Sequence, residues 1–383
     1  MKGKRLEAFE KMKRHYRERS SAAEEWKKNG GKVVGYITHN VPEEMIIAAG
    51  LFPFRMSGDP FEATQIGDET MEYFFDPSVR SMYNMLLTEK FDFLDFLVIP
   101  HSNDSVFKLY YYLMEVKRIE PSLNLPDFYL LDMLYTKWFA TSLYNREKIL
   151  AFKGKLEALA GRRISNADLT AAISVANENK RLLRRISDLR KKNPPRISGT
   201  EALQIIGSSM FMNKMDHNRL LEAFLSETDS LPPKDGVRVS LEGSQIDHLQ
   251  FYKLVESCGA TIVTESHSWG DRYSDDPVDT SFGPVEAIAE KYHLHSPSPR
   301  AYPNRGEERH CLDIAKDADA QGTIFFLLEW DDAPAWDYPV QKKILEENGI
   351  PTLCFRMQKY LLSDTERMKS EIESFVDSIR KRN

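Results

Sequence analysis

Cysteine is scarce in this chain, with only Cys258, Cys311 and Cys354 in 383 residues. Three thiols so far apart exclude a disulfide framework and an all-cysteine zinc site. Long apolar runs are missing as well. No stretch reaches the roughly 18 apolar residues that a transmembrane helix needs. The N-terminus, MKGKRLEAFEKMKRHYRERS, has no apolar core segment and mixes acids with its bases, so it reads as a solvated helix and not as a signal peptide. There is no basic excess: 52 Lys and Arg stand against 58 Asp and Glu, a net charge of −6, which argues against a general nucleic-acid binder. A Walker loop, a G-x-G-x-x-G after a strand and a G-x-S-x-G elbow are all absent, so nucleotide, dinucleotide and α/β-hydrolase readings lose their usual support. What remains is an ordinary globular composition, 42% hydrophobic and 29% charged, in a chain too long for one core. A cytoplasmic protein of two or three domains is expected.

The pattern along the chain is strand and helix in alternation. Lys32 to Ile37, Leu51 to Met56, Phe96 to Ile99 and a run from Asp127 read as strands, with helices between them. Thr136 to Asn193 reads as long helices, one of them capped by Ser165 or Asn166 with Asp168 in its first turn. A second alternating series follows: VRVSLEG, ATIVTE, TIFFLLE and PTLCFR. The predicted fold class is α/β, two Rossmann-like lobes with parallel sheets joined by a helical region. The expected division is an N-terminal lobe with its leading helix over 1–160, a helical connection over 161–235 and a C-terminal lobe over 236–383.

Open parallel sheets bind ligands beyond the C-terminal ends of their strands. A cleft between two such lobes should therefore be lined by residues that follow strands: Thr38, His39, Ser102, Asp104, Ser268, Arg272, Trp330 and Asp331. His39, His101, His267, His293 and His295 fall in or near these loops. His101, His267 and Asp331 form the set that would hold a metal if three ligands converged, although no two histidines have the spacing of a recognised site. Arg272 and Arg305 suit the phosphate or carboxylate of a ligand. Glu43 and Glu44 open a helix, where capping accounts for carboxylates without any chemistry. The basic stretch NKRLLRRISDLRKK, Lys180 included, reads as an exposed helix face.

Several segments together resemble the 2-hydroxyacyl-CoA dehydratase and benzoyl-CoA reductase family. They are VVGYITHNVPEEMIIAAGLFPFR, ISNADLTAAISVANENKRLLRRI, PPRISGTEALQII, VRVSLEGSQID, CGATIVTESHSWGDRY and GTIFFLLEWDDAPAWDYPVQKKILEENGIPTLCF. The resemblance spans nearly the whole chain in the family's order. It implies two Rossmann-like lobes, hetero-oligomeric subunits, an acyl-CoA substrate and a 4Fe-4S cluster held by cysteines at strand ends. The sequence departs from the family at those cysteines. Their positions correspond to Ser102 or Asn103, to Ser268, and to Trp330. Serine and tryptophan are poor substitutes for thiolates, so this chain is expected to carry no cluster of its own. The resemblance then implies a subunit that shapes an acyl-CoA cleft beside a cluster-bearing homologue, or in a homo-oligomer. The alternative is a stand-alone ligand-binding protein, or a metal-dependent hydrolase or lyase using a His/Asp-lined cleft.

Overall fold

A computed structural model describes residues 2–228, 231–274, 277–295 and 307–382. The first lobe contributes β1 (Val33–Tyr36), β2 (Phe52–Arg55), β3 (Phe96–Pro100) and β4 (Asp127–Leu131). The second contributes β5 (Val237–Gly243), β6 (Ala260–Glu265), β7 (Gly322–Leu328) and β8 (Thr352–Gln358). Every residue of β1, β2, β6 and β7 is buried, which is why these segments read as continuous apolar runs instead of alternating ones. The strands form two four-stranded sheets in the orders β2-β1-β3-β4 and β6-β5-β7-β8. All pairs are parallel. The α/β class with two Rossmann-like lobes is the observed fold.

The strand orders place the site. In each sheet the chain steps one way from its first strand, to β2 or β6, and then crosses back to β3 or β7. The reversals fall between β1 and β3 and between β5 and β7, and a crevice opens beyond the strand ends at such a switch point.

Helices join the lobes. The main core draws on both sheets (Leu97, Ile99, Leu241, Ile324), on Met12 of α1 (Lys2–Arg17) and on Leu203 of a connecting helix. The opening helix is thus not solvated all round: Ala8, Met12 and Tyr16 are buried. After β6 the chain returns to the first lobe, where Val285, Ile288 and Tyr292 pack with Val34, Ile46 and Ile173. Among the described residues, no helix is long and apolar enough to cross a membrane.

The longest helix, Asn166–Lys191, starts at a capping box. Ser165 Oγ accepts from the Asp168 amide, and Asp168 accepts from the Ser165 amide. Its buried face includes Ala176, Lys180, Leu183, Ser187 and Arg190, spaced by three and four residues. The basic stretch is therefore not simply an exposed face. Lys180 is 2% exposed and Arg190 0%. Arg190 pairs with Glu265 at 2.9 Å and with Asp271 at 2.6 Å. Lys180 reaches Glu44 at 3.1 Å.

That ion pair corrects a second expectation. Glu43 and Glu44 begin the helix Glu43–Ala48 without capping it through a side chain, and both are buried. Glu43 meets Lys214 at 3.2 Å and accepts from Tyr273 Oη at 2.6 Å. Glu44 meets Lys180 and Lys291 (3.2 Å) and accepts from Tyr292 Oη at 2.8 Å. These carboxylates tie the first lobe to the connecting helices and to the returning segment. They are structural charges, neutralised in place.

Candidate functional site at the interlobe cleft

The loops after β1, β3, β5, β6 and β7 meet at one cavity of about 140 Å³. Its walls come from both switch points. Thr38, Asn40 and Ser102 follow strands of the first sheet, and Glu242, Gln245, Ser268 and Asp331 belong to the second. Arg272 closes one side, and Asp337 and Gln341 approach from the helix Asp332–Glu347. Thr38 has φ of 60°, a conformation that costs a β-branched residue about 1–3 kcal/mol and that clusters at ligand sites.

Several polar groups here lack partners. Asn40 Nδ2, Ser102 Oγ, Arg272 Nε and Glu242 Oε1 are buried with no hydrogen bond among the described residues. Asn40 Oδ1 accepts from the Thr38 hydroxyl at 3.2 Å, leaving the amide nitrogen unused. Glu242 is 2% exposed, and its other oxygen accepts from the Ser266 hydroxyl. An unmade hydrogen bond on a buried group costs about 1–3 kcal/mol. Four of them around one cavity mark a place shaped for something else to bind.

Burial sets the protonation states. It pushes the Glu242 carboxyl up to about 7, against the opposing effects of Ser266 and Arg272. Asp331 is also pushed up to about 7, by burial first and then by the charge of Asp76. Asp76, whose Oδ1 accepts from the amide and hydroxyl of Ser78, is raised by burial as well. His267 goes the other way: burial and then Arg272 and Arg190 hold it at about 3, so it is neutral.

Of the eight residues expected in the cleft, Thr38, His39, Ser102, Ser268, Arg272 and Asp331 line it. Asp104 and Trp330 do not. Asp104 is exposed in the first turn of the helix Asp104–Ile119. Trp330, at φ 63°, turns its ring to Tyr73, 5.3 Å away. The metal set does not assemble either. His101 is held by Asp132 at 2.9 Å and stacks on Phe107, outside the cavity wall. His267 has both ring nitrogens engaged, by Tyr252 Oη at 2.8 Å and by the Trp269 amide at 3.3 Å. No three His, Cys, Asp or Glu groups among the described residues are placed to hold a metal ion. His293 packs against Thr136 and Ser142. Arg305 and the His295 side chain lie outside the described residues.

Sequence reasoning missed Asp76, Glu242, Gln245 and Arg55. Glu242 had a signal, an acid at the C-terminal end of the strand VRVSLEG, where cleft residues are expected. Arg55 had a related one, a single charge ending the otherwise apolar strand β2. Its guanidinium donates to Ser268 O and Oγ, both at 2.7 Å, and lies 4.2 Å from the centre of the Trp269 ring. Ser268 in turn donates to Gln245 at 3.3 Å, so its hydroxyl is spent on joining the lobes.

These residues do not fit an iron–sulfur cluster, which needs thiolates or imidazoles. Ser102 and Ser268 offer hydroxyls, and Trp330 faces elsewhere. None of the three cysteines lines the cavity. Burial raises each of their thiols, that of Cys311 to about 12, against the thiolate form that binds metal.

Known proteins have related sequences along nearly the whole chain. The family model for the 2-hydroxyglutaryl-CoA dehydratase D-component matches residues 38–379. The (R)-phenyllactyl-CoA dehydratase beta subunit of Clostridium sporogenes is 24% identical, covering 91% of this chain and 92% of its own. A benzoyl-CoA reductase subunit of Thauera aromatica is also 24% identical, over 94% of each chain. The (R)-2-hydroxyglutaryl-CoA dehydratase beta subunit of Acidaminococcus fermentans is 22% identical, over 92% of this chain and 94% of its own. A family match across both lobes, on a chain whose strand-end loops converge on one cleft, identifies it: this chain belongs to the 2-hydroxyglutaryl-CoA dehydratase D-component family.

Proposed function

We propose that the chain is a subunit of a 2-hydroxyacyl-CoA dehydratase or aryl-CoA reductase-type complex, carries no 4Fe-4S cluster of its own, and contributes a cleft that receives the acyl end of a CoA thioester. The carrying observation is the cavity at the two switch points. It keeps unused hydrogen-bonding groups while hydroxyls and an averted indole stand where the family resemblance places thiolates. At about 140 Å³ it admits an acyl end and no more, since whole drug-sized ligands take about 300–1,000 Å³. In that setting Arg272 and Asn40 would orient an acyl oxygen, and the walls would exclude water from chemistry conducted by a partner. In this reading Arg272, which lines the cavity, serves the acyl end instead of outlying phosphates.

Surface chemistry supports a protein partner. Trp336 is 81% exposed on the same helix whose Asp337 and Gln341 line the cleft. Tyr73, packed on Trp330, is 74% exposed. Large aromatics at a surface are characteristic of interface centres. Co-expression with a homologous, cysteine-bearing partner is expected to give a stable complex, with a second copy of this chain as the fallback partner. Obligate interfaces bury more than about 2,000 Å². Replacing Trp336 and Tyr73 by Ser should weaken association about tenfold or more. Sedimentation at micromolar concentration checks this. A strict monomer with no co-purifying relative would favour the stand-alone ligand-binding reading instead.

A further inference from the structure

Taken atom by atom, the unused groups in the cleft are rich in donors. Asn40 Nδ2 and Arg272 Nε can only donate, and Ser102 Oγ can donate. The remaining unused atom, Glu242 Oε1, is an acceptor when ionised and joins the donors when protonated. A ligand that satisfies all four therefore presents several acceptor oxygens and takes its place beside a carboxyl that keeps its proton. We infer that the cleft binds a small free carboxylate of up to about six heavy atoms, a size set by comparison with the roughly 150 Å³ cavity that holds benzene, through Asn40, Ser102 and Arg272, beside the unused oxygen of Glu242. Short-chain acids and 2-hydroxy acids are the fitting chemical class. This goes beyond the thioester reading, because neither coenzyme A nor a partner subunit is required for it.

The proton is part of the binding. Glu242 lies within a set of titratable and charged neighbours: Glu265 and His267 from β6 and its loop, Arg272, Cys311 from the helix Glu307–Asp317, and Asp76, Asp331, Asp337 and His39 around the cavity. Arg272, His39 and His267 are the basic side chains among the cavity's lining residues. An incoming anion raises the cost of ionising Glu242 further, so it stays protonated in the complex. Above pH 7, where free Glu242 loses its proton, one proton must be taken up for each anion bound. Affinity then falls about tenfold per pH unit. Below pH 7 it levels off.

Calorimetric titration of the purified full chain with acetate, propionate and lactate tests this, at pH values from 6 to 9 and in buffers of different ionisation enthalpy. Saturable binding is expected, with proton uptake above pH 7. Acetamide, a neutral analogue of acetate, should bind more weakly and without that slope. Glu242→Gln keeps a donor and should abolish the slope. Asp331→Asn should leave it in place, which separates the two carboxyls that titrate in one range. Arg272→Gln should weaken lactate binding about tenfold or more. No saturable binding by wild type, acetamide binding as tightly as acetate, or a slope that persists in Glu242→Gln would each overturn the inference. If the Gln variant fails to fold, the absence of buffer-dependent proton uptake in wild type does the same. The titration involves no thioester and no partner, so its failure and failure of the subunit reading are distinguishable.

Discussion

Replacing Glu44 by Gln is expected to destabilise the fold by about 3–5 kcal/mol, the range for breaking a buried ion pair by removing one partner. The carboxylate is fully buried and faces Lys180 and Lys291 at 3.1 and 3.2 Å. Burial alone would push its carboxyl up; the two ammonium groups outweigh burial and hold it well below the usual carboxylate range. An amide in its place leaves two cations with no counter-charge except Glu43. Lys291, which burial already brings down to about 8, would then shed its proton. The sign of the pH dependence follows from the lowered carboxyl. Its contribution is complete above about pH 4.5, the ordinary value, and fades as pH falls towards the folded one. The gap between wild type and variant should therefore be widest near neutrality and close in acid. Urea denaturation at pH 7 and pH 3.5 measures it. A loss below about 1 kcal/mol at pH 7 would mean that the cluster is no structural tie between the lobes.

Glu242→Gln should act in the opposite direction. Burial raises this carboxyl from 4.5 to about 7, so the folded state is penalised for every pH step over which the unfolded chain is ionised and the folded one is not. A raised acid contributes stability that is complete below about pH 4.5 and is lost as pH rises through about 7. Gln does not titrate and can still accept from Ser266. The variant should match wild type near pH 4.5 and exceed it by about 3 kcal/mol above pH 8, because each pH step between the unfolded and folded values is worth about 1.4 kcal/mol. A functional site that sacrifices stability in this way is a familiar trade. If thermal or urea midpoints show a difference that does not vary with pH, Glu242 is not the raised, buried acid of the cleft.

Much of the fold was legible because burial on both faces writes itself into sequence. TIFFLLE has no polar phase to confuse it, and Ser165 with Asp168 announces a helix start from local chemistry alone. The cleft was legible one level up, from the rule that parallel strands present ligands at their C-terminal ends. What the rule does not give is direction. One residue of phase decides whether a side chain after a strand faces the cavity, as Asp331 does, or a neighbouring aromatic, as Trp330 does. Lys180 and Arg190 were misjudged by composition, although Ala176, Leu183 and Ser187 already put them in phase with a buried face. Glu43 and Glu44 are different. Their partners Lys180, Lys214 and Lys291 lie far away in sequence, and nothing local distinguishes a helix-capping acid from a buried one. The unused donors of Asn40 and Ser102 are invisible for the same reason, since a missing partner is a property of the folded cavity.

The central claim is that this member of the family has a polar ligand cleft where thiolates would hold a cluster. Anaerobic reconstitution of the purified full chain with iron and sulfide, followed by metal and sulfide analysis, tests it most directly. The prediction is no stoichiometric iron or sulfide and no thiolate-to-iron absorption, because Ser102, Ser268 and Trp330 offer no thiolate and none of the three cysteines lines the cavity. Recovery of about four iron and four sulfide per chain, retained through gel filtration, would contradict the account.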